Sequence, residues 1–245
     1  MDGTGASGPV DAEAGGAGQD TPVDGLGRSP LFAALDPQHQ QELRSQMAEV
    51  RLARGQALFN EGDRGDQLYV VLEGKMKLGR TSPDGRENLL AVMGPGEMFG
   101  ELSLFDPGPR TASAVAITDS TLRALSNAHL QPWLTDHPEV AAQLLAALAR
   151  RLRRTNEAMA DLVFSDVPGR VAKALLDLAK KFGVEAEDGL RVTHDLTQEE
   201  LAQLVGASRE TVNKALADFA SRGFLRLEGR GVVILDLERL RRRAG

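Results

Sequence analysis

The sequence predicts an α+β fold in three parts: a strand-rich N-terminal half, one long helix, and a C-terminal half of short helices closed by a hairpin. Three observations predict it. Short apolar runs separated by Gly and by Pro83-Asp84-Gly85 fill residues 53–101. The stretch 137–164 carries apolar residues three and four apart. Two short, capped helical patterns joined by Gly206 occupy residues 197–220.

Composition limits what such a chain does. Its 245 residues, 42% of them hydrophobic, suffice for one or two domains with real cores. No apolar run is long enough to span a bilayer, and the start lacks a charged segment followed by an apolar one. A cytoplasmic location is expected. The absence of Cys excludes disulfides, thiolate zinc sites and thiolate-held iron–sulfur clusters. His39, His129, His137 and His194 are scattered, without metal spacing or a nucleophile partner, so neither a metal site nor an enzyme is expected.

The net charge of −6 looks wrong for a nucleic-acid binder until its distribution is considered. Asp2, Asp11, Glu13, Asp20 and Asp24 all precede the first basic residue, Arg28, and the body is near neutral. Residues 1–28, rich in Gly, Ala and acidic side chains, cannot bury enough apolar surface to offset ordering entropy. They are expected to form a disordered tail. A start codon placed too far upstream explains the same composition.

Residues 29–136 read as short helices followed by a roll. Asp36-Pro37 supplies an N-cap and a first helical position. Leu68–Leu72, Lys75–Gly79 and Asn88–Met93 read as strands, with Pro83-Asp84-Gly85 as a hairpin turn. Many short strands at close spacing predict an all-β barrel or roll. The stretch FGELSLFDPGPRTASAVA (99–116) breaks this rhythm. Gly100 lets backbone approach a ligand closely. ELSLF suits a single helical turn whose free N–H groups face an anion. Arg110 carries a guanidinium that can fork onto a phosphate, leaving Glu101 to accept from sugar hydroxyls. The plain alternative is an ordinary, partly buried Glu101–Arg110 ion pair.

Residues 137–165 read as one long helix with Pro138 in its first turn. Leu144, Leu148, Leu152, Thr155, Met159 and Leu162 form a seam, which packs on its own domain or pairs with a second copy; pairing is favoured. The run Arg150, Arg151, Arg153 and Arg154 reads as a solvated face. Ser165 to Gly169 interrupts the pattern as a hinge, with Asp166 and Pro168 opening the next helix.

Residues 166–245 read as a winged helix-turn-helix domain. Thr197 caps TQEELAQLVGA, Glu200 completes the capping box, and Gly206 ends the helix. Ser208 caps SRETVNKALADFA (208–220), whose Val212, Ala215, Leu216 and Phe219 face a core. This is a DNA-recognition helix in form. Residues 224–236 read as two strands around Gly229 to Gly231, the wing. Arg209 can pair bidentately with guanine, Glu210 can accept from cytosine, and Lys214 can reach a guanine or a phosphate. Thr197, Gln198 and Ser208 suit backbone contacts. The end, LERLRRRAG, is basic and either lies near a backbone phosphate or is simply solvated; the latter is favoured.

Together, Gly-Glu-Leu-Ser (100–103), Arg-Thr-Ala-Ser-Ala (110–114) and the helix-turn-helix resemble the CRP/FNR superfamily. FGELSLFDPGPRT and VPGRVAK bring it nearest to actinobacterial cyclic AMP receptor proteins. The resemblance implies a jelly-roll-like, cyclic-nucleotide-binding β-roll, a dimerisation helix and a winged helix-turn-helix domain. It places Gly100, Glu101, Leu102 and Ser103 in the cassette turn, with Glu101 on the ribose 2′-hydroxyl and Arg110 and Thr111 on the cyclic phosphate. Leu90 and Ala91 would wall the pocket, and Thr155 and Asn156 would meet the purine across a homodimer. It implies cAMP as the allosteric ligand. Thr111, where the family often has Ser, leaves room for cGMP. The implied partners are palindromic double-stranded DNA with TGTGA-like half-sites and RNA polymerase. Lys214, where many members have Arg, implies relaxed reading at one base pair. The competing reading is a ligand-independent, nucleoid-type DNA-binding protein with a vestigial pocket.

Overall fold

The computed structural model describes residues 25–29, 32, 35–106 and 108–245. Of the tail expected at 1–28, residues 1–24 lie outside the described residues. Gly25–Arg28 depart from that expectation and form a 3-10 turn with Leu26 fully buried. Leu26 joins Phe32, Leu35, Leu43, Leu130, Trp133, Val140 and Leu144 in one apolar cluster, so a single Leu anchors the end of a polar stretch. Helix α1 (Pro37–Ser45) follows, capped by Asp36, whose carboxylate accepts from the His39 amide.

Eight strands then close the roll. They are β1 (Ala48–Leu52), β2 (Ala57–Phe59), β3 (Gln67–Glu73), β4 (Met76–Thr81), β5 (Glu87–Met93), β6 (Met98–Phe99), β7 (Ser113–Ala116) and β8 (Ser120–Ser126). They form two antiparallel four-stranded sheets, ordered β1-β8-β3-β6 and β2-β7-β4-β5. Strand β3 explains its own unbroken apolar run. Leu68 and Val70 face the cluster under α1, while Tyr69 and Val71 face the core between the sheets. A strand buried on both faces has no polar side to alternate with. The β4–β5 turn falls at residues 82–86, where Gly85 takes φ +81°.

Between β6 and β7 sits the single turn α2 (Leu102–Phe105), and α3 (Asn127–Asp136) leads into α4 (Pro138–Phe164). The seam of α4 divides along its length. Val140 and Leu144 are buried in their own domain, while Leu152, Met159 and Leu162 are more than half exposed. Ser165 and Asp166, both extended, separate α4 from α5 (Val167–Phe182). Asp166 caps α5 through the Gly169 amide, and its carboxyl is held below the usual range, chiefly by Arg243.

The rest of the C-terminal half comprises β9 (Gly183–Ala186), β10 (Gly189–Thr193), α6 (Gln198–Val205), α7 (Arg209–Ser221), β11 (Leu225–Glu228), β12 (Gly231–Ile234) and α8 (Leu237–Ala244). Its sheet runs β11-β12-β10-β9. The chain end expected to be merely solvated is the helix α8. Leu240 is fully buried, and Arg243 Nη2 lies 2.6 Å from Asp166 Oδ2.

The two halves share a seam. Leu89 and Val92 of β5, with Ile117, belong to the same apolar cluster as the cores of α5, α6 and α7. Three lysines cross the seam. Lys75 pairs with Asp195, Lys77 Nζ lies 2.6 Å from Glu200 Oε1, and Lys181 Nζ lies 2.8 Å from Glu97 Oε1. Burial would raise the Glu200 carboxyl, but hydrogen bonds from Lys77 and Thr197 hold it below its ordinary value.

Candidate functional site

The loop from β6 into α2 is shaped by Gly100, whose φ of +82° lies in the left-handed region. A Cβ there would sit 2.8 Å from Arg110 Nη1 and 3.0 Å from the Gln67 carbonyl. The bare backbone therefore lets the guanidinium lie flat beneath the turn. Arg110 is 5% exposed. Nη1 donates to Gly100 O (2.9 Å) and, more weakly, to Ser103 Oγ (3.4 Å), and Nη2 donates to Gln67 O (2.8 Å). The guanidinium centre stands 4.3 Å from the Phe59 ring centroid and 5.7 Å from that of Tyr69. This cation–π seat helps the cation tolerate burial.

Glu101 is 2% exposed. It does not pair with Arg110. Its Oε1 accepts from Arg151 Nη1 on α4 at 2.8 Å, so the plain ion-pair alternative fails. Each buried charge keeps one orphaned polar atom: Glu101 Oε2, an acceptor, and Arg110 Nε, a donor. Buried polar atoms without partners are rare and costly. Two of opposite sense in one ten-residue stretch fit a ligand bearing both hydroxyl and anion.

The structure places the other expected pocket residues unevenly. Ser103 is buried and Leu102 exposed. Thr111 is exposed. Ala91 packs on the core between the sheets, while Leu90 is 50% exposed at a register shift between β4 and β5. A cleft of ≈460 Å³ opens beside the cassette, with Gly65, Asp66 and Ser103 in its lining. Thr155 and Asn156 are exposed. Thr155 Oγ1 donates to the Arg151 carbonyl (3.1 Å), bonding back to its own helix. It nevertheless lies one turn from Arg151 on the same face of α4. Arg151 itself overturns an expectation. Read as part of a solvated basic run, it is the residue that joins the long helix to the cassette. No local pattern in the sequence marks it, because its partner Glu101 lies fifty positions away.

The second candidate surface is α6 and α7. Thr197 and Glu200 form the full capping box. Gly206, at φ +64°, ends α6 in the left-handed conformation. Ser208 caps α7 by accepting from the Thr211 amide at 3.2 Å. Val212, Ala215, Leu216 and Phe219 are buried beneath. Thr197, Gln198, Arg209, Glu210 and Lys214 are all exposed or nearly so. Arg209 has no hydrogen-bond or ion-pair partner among the described residues. Glu210 and Lys214, both expected to read bases, pair with each other at 2.7 Å. Such an exposed i,i+4 pair is worth only about 0.3–0.5 kcal/mol, so it yields readily to DNA.

Pocket and helix together define a class, and comparison with known proteins agrees with it. The family model described as a cyclic nucleotide-binding domain matches residues 49–137, and that of a Crp-like helix-turn-helix domain matches residues 169–243. The chain is 59% identical over 219 residues to a CRP-like cAMP-activated global transcriptional regulator of Mycobacterium tuberculosis, covering 89% of this chain and 98% of that protein. It is 42% identical over 205 residues to a cyclic AMP receptor protein of Thermus thermophilus, covering 84% and 91%. Among solved structures, a c-di-GMP-responsive global regulator of Xanthomonas campestris matches with a TM-score of 0.70 at 28% identity, over 81% of this chain and 99% of that one. The chain belongs to the CRP/FNR family: it is a transcription regulator with a cyclic-nucleotide-binding domain and a DNA-binding helix-turn-helix. No helix among the described residues is long and apolar enough to cross a membrane.

Proposed function

We propose that the chain acts in the cytoplasm as a homodimer that binds cAMP and palindromic DNA, and that from a promoter it works with RNA polymerase. The observation that carries the ligand is the pair of orphaned polar atoms, Glu101 Oε2 and Arg110 Nε. In this reading Glu101 accepts from the ribose 2′-hydroxyl, and Arg110 and Thr111 hold the cyclic phosphate. Gly100, Leu102 and Ser103 shape the turn, and Leu90 and Ala91 form a wall. Arg151 stays on Oε1 and leaves Oε2 for the sugar. Thr155 and Asn156 reach the purine from the long helix.

The working division is a roll at 29–136, a dimerisation helix at 137–165 and a winged helix-turn-helix domain at 166–245. Dimerisation is supported by the exposed half of α4, where Leu152, Met159 and Leu162 present an apolar stripe more than half exposed. Two α7 helices spaced about 34 Å apart would meet successive major grooves. Arg209, Glu210 and Lys214 read bases there, while Thr197, Gln198 and Ser208 set register on the backbone. The ligand shifts DNA affinity by its differential affinity for that dimer state, typically about 1–3 kcal/mol.

The test is binding to a TGTGA-N6-TCACA duplex at fixed salt, alone and with cAMP, cGMP or c-di-GMP. A gain with cAMP alone supports the reading. A gain with cGMP moves purine choice to Thr111. A gain with c-di-GMP replaces the ligand. Tight binding indifferent to all three favours a ligand-independent protein with a vestigial pocket.

A further inference from the structure

The hinge carries a clamp. Arg170 lies in the first turn of α5, and its guanidinium reaches three carbonyls. Nη1 donates to Ser165 O (2.8 Å), Nε to Val205 O (2.9 Å) and Nη2 to Gly206 O (3.3 Å). Ser165 closes α4; Val205 and Gly206 are the last residue and the C-cap of α6. Carbonyls at a helix C-terminus lack intrahelical donors and carry the negative end of the dipole, so a cation belongs there. A guanidinium offers enough donors in a fixed fork to join three of them at once.

Two further contacts brace the same junction. Leu162 of α4 packs over Gly206, so closely that a Cβ on Gly206 would meet Leu162 Cδ2 at 3.0 Å. Lys173 of α5 pairs with Asp161 of α4. The last turn of α4 is therefore fastened to the turn that aims α7. At the other end of the line, Arg151 ties α4 to the cassette through Glu101. About 21 Å of helix separates that bond from the clamp.

We propose that Arg170 is a positioning residue: it carries displacement of the long helix to the recognition helix, so that occupancy of the pocket is felt at the DNA. This rests on the nucleotide reading above. Packing alone would hold α5 on α6 without the fork. The fork adds a rigid joint between the hinge carbonyl and the helix-turn-helix turn.

Arg170→Lys keeps the charge and loses the fork. The readout is the DNA affinity with and without cAMP at fixed salt, alongside direct cAMP binding and the thermal midpoint. The expected result is a cAMP-induced gain cut at least about fivefold, with cAMP still bound and the midpoint within a few degrees of the parent. Lys173→Ala should reduce the gain in the same direction but less, and it keeps the question open to test if Arg170→Lys folds poorly. An undiminished gain in both variants overturns the proposal. If the parent itself shows no gain, the nucleotide reading fails instead. The coupling then falls with it, and Arg170 stands only as a joint that aims α7, where a several-fold loss of DNA affinity at an unchanged thermal midpoint in Arg170→Lys sustains that joint and no loss overturns it.

Discussion

The nucleotide pocket and the DNA-reading surface both depend on a carboxylate and a cation, yet they are built in opposite ways. Glu101 and Arg110 are almost wholly buried and held by tertiary partners. Glu210 and Lys214 stand in water, their side chains more than 70% exposed, and hold only each other. In the pocket, the cost of desolvating charge is met when the chain folds, so a ligand finds its partners already oriented. On α7, that cost arises only when DNA arrives. The pocket is therefore rigid and intolerant of change, whereas the reading surface is tolerant, salt-sensitive and modular base by base.

The largest expected effect lies on the buried side. Arg110→Ala should weaken cAMP binding by roughly 100- to 1,000-fold, the usual scale for truncating one member of a buried charged contact. Calorimetric titration checks this, and affinity within threefold of the parent would remove Arg110 from the phosphate site.

A second buried group sharpens the contrast through pH. His194 is 5% exposed, and its Nδ1 accepts from the Leu196 amide at 3.1 Å. Burial lowers its pKa from 6.5 to about 4. Between those values the unfolded chain binds the proton and the folded chain does not. Stability is thus full above pH 6.5 and falls as pH drops toward 4, by up to about 1.4 kcal/mol per pH unit. Denaturant midpoints at pH 7, 6 and 5 should fall in that order. In His194→Asn, which keeps an acceptor, this part of the slope should vanish; a slope identical to the parent's would put its origin elsewhere.

The exposed side should give smaller and more selective losses. Arg209→Ala should lower discrimination at one guanine by about 1–3 kcal/mol. A loss equal on all duplexes would make Arg209 a phosphate contact. The smallest effect belongs to the Glu210–Lys214 pair. Breaking it with Glu210→Gln should change folding stability by no more than about 0.5 kcal/mol, while altering preference opposite cytosine. A stability loss several times larger would show the helix to be less independent of that pair than its exposure implies.

What the sequence reveals follows the same division. Both caps of the helix-turn-helix, the left-handed Gly206 and the buried face of α7 are legible because each is a local pattern within a dozen residues. The single turn at 102–105 and the cassette order are legible for the same reason. Arg151 is not, because its importance comes from Glu101, brought to it by the fold across fifty positions. Helix α8 was missed since only Leu237 and Leu240 interrupt its charges, too few to show a period. Leu26 was hidden in a Gly-rich tail. The lysines at 75, 77 and 181 look like surface residues until Asp195, Glu200 and Glu97 are placed opposite them.

Strand β5 has one more consequence. It gives Ala91 and Met93 to the core of the roll, and Leu89 and Val92 to the core under the helix-turn-helix. Phe182, from the end of α5, lies so close to Gly94 that a Cβ there would meet its ring at 2.4 Å and force the ring to shift. Asp195, which takes a left-handed φ of 62° without being glycine, is met from the roll by Lys75. The hinge in the chain is thus not the border between the two cores. A scissile cut at residue 165 would separate the covalent halves and still leave them adhering along this wall. A roll expressed alone would carry Leu89, Val92 and Ile117 bare to solvent, as a sticky patch that the C-terminal half covers in this structure.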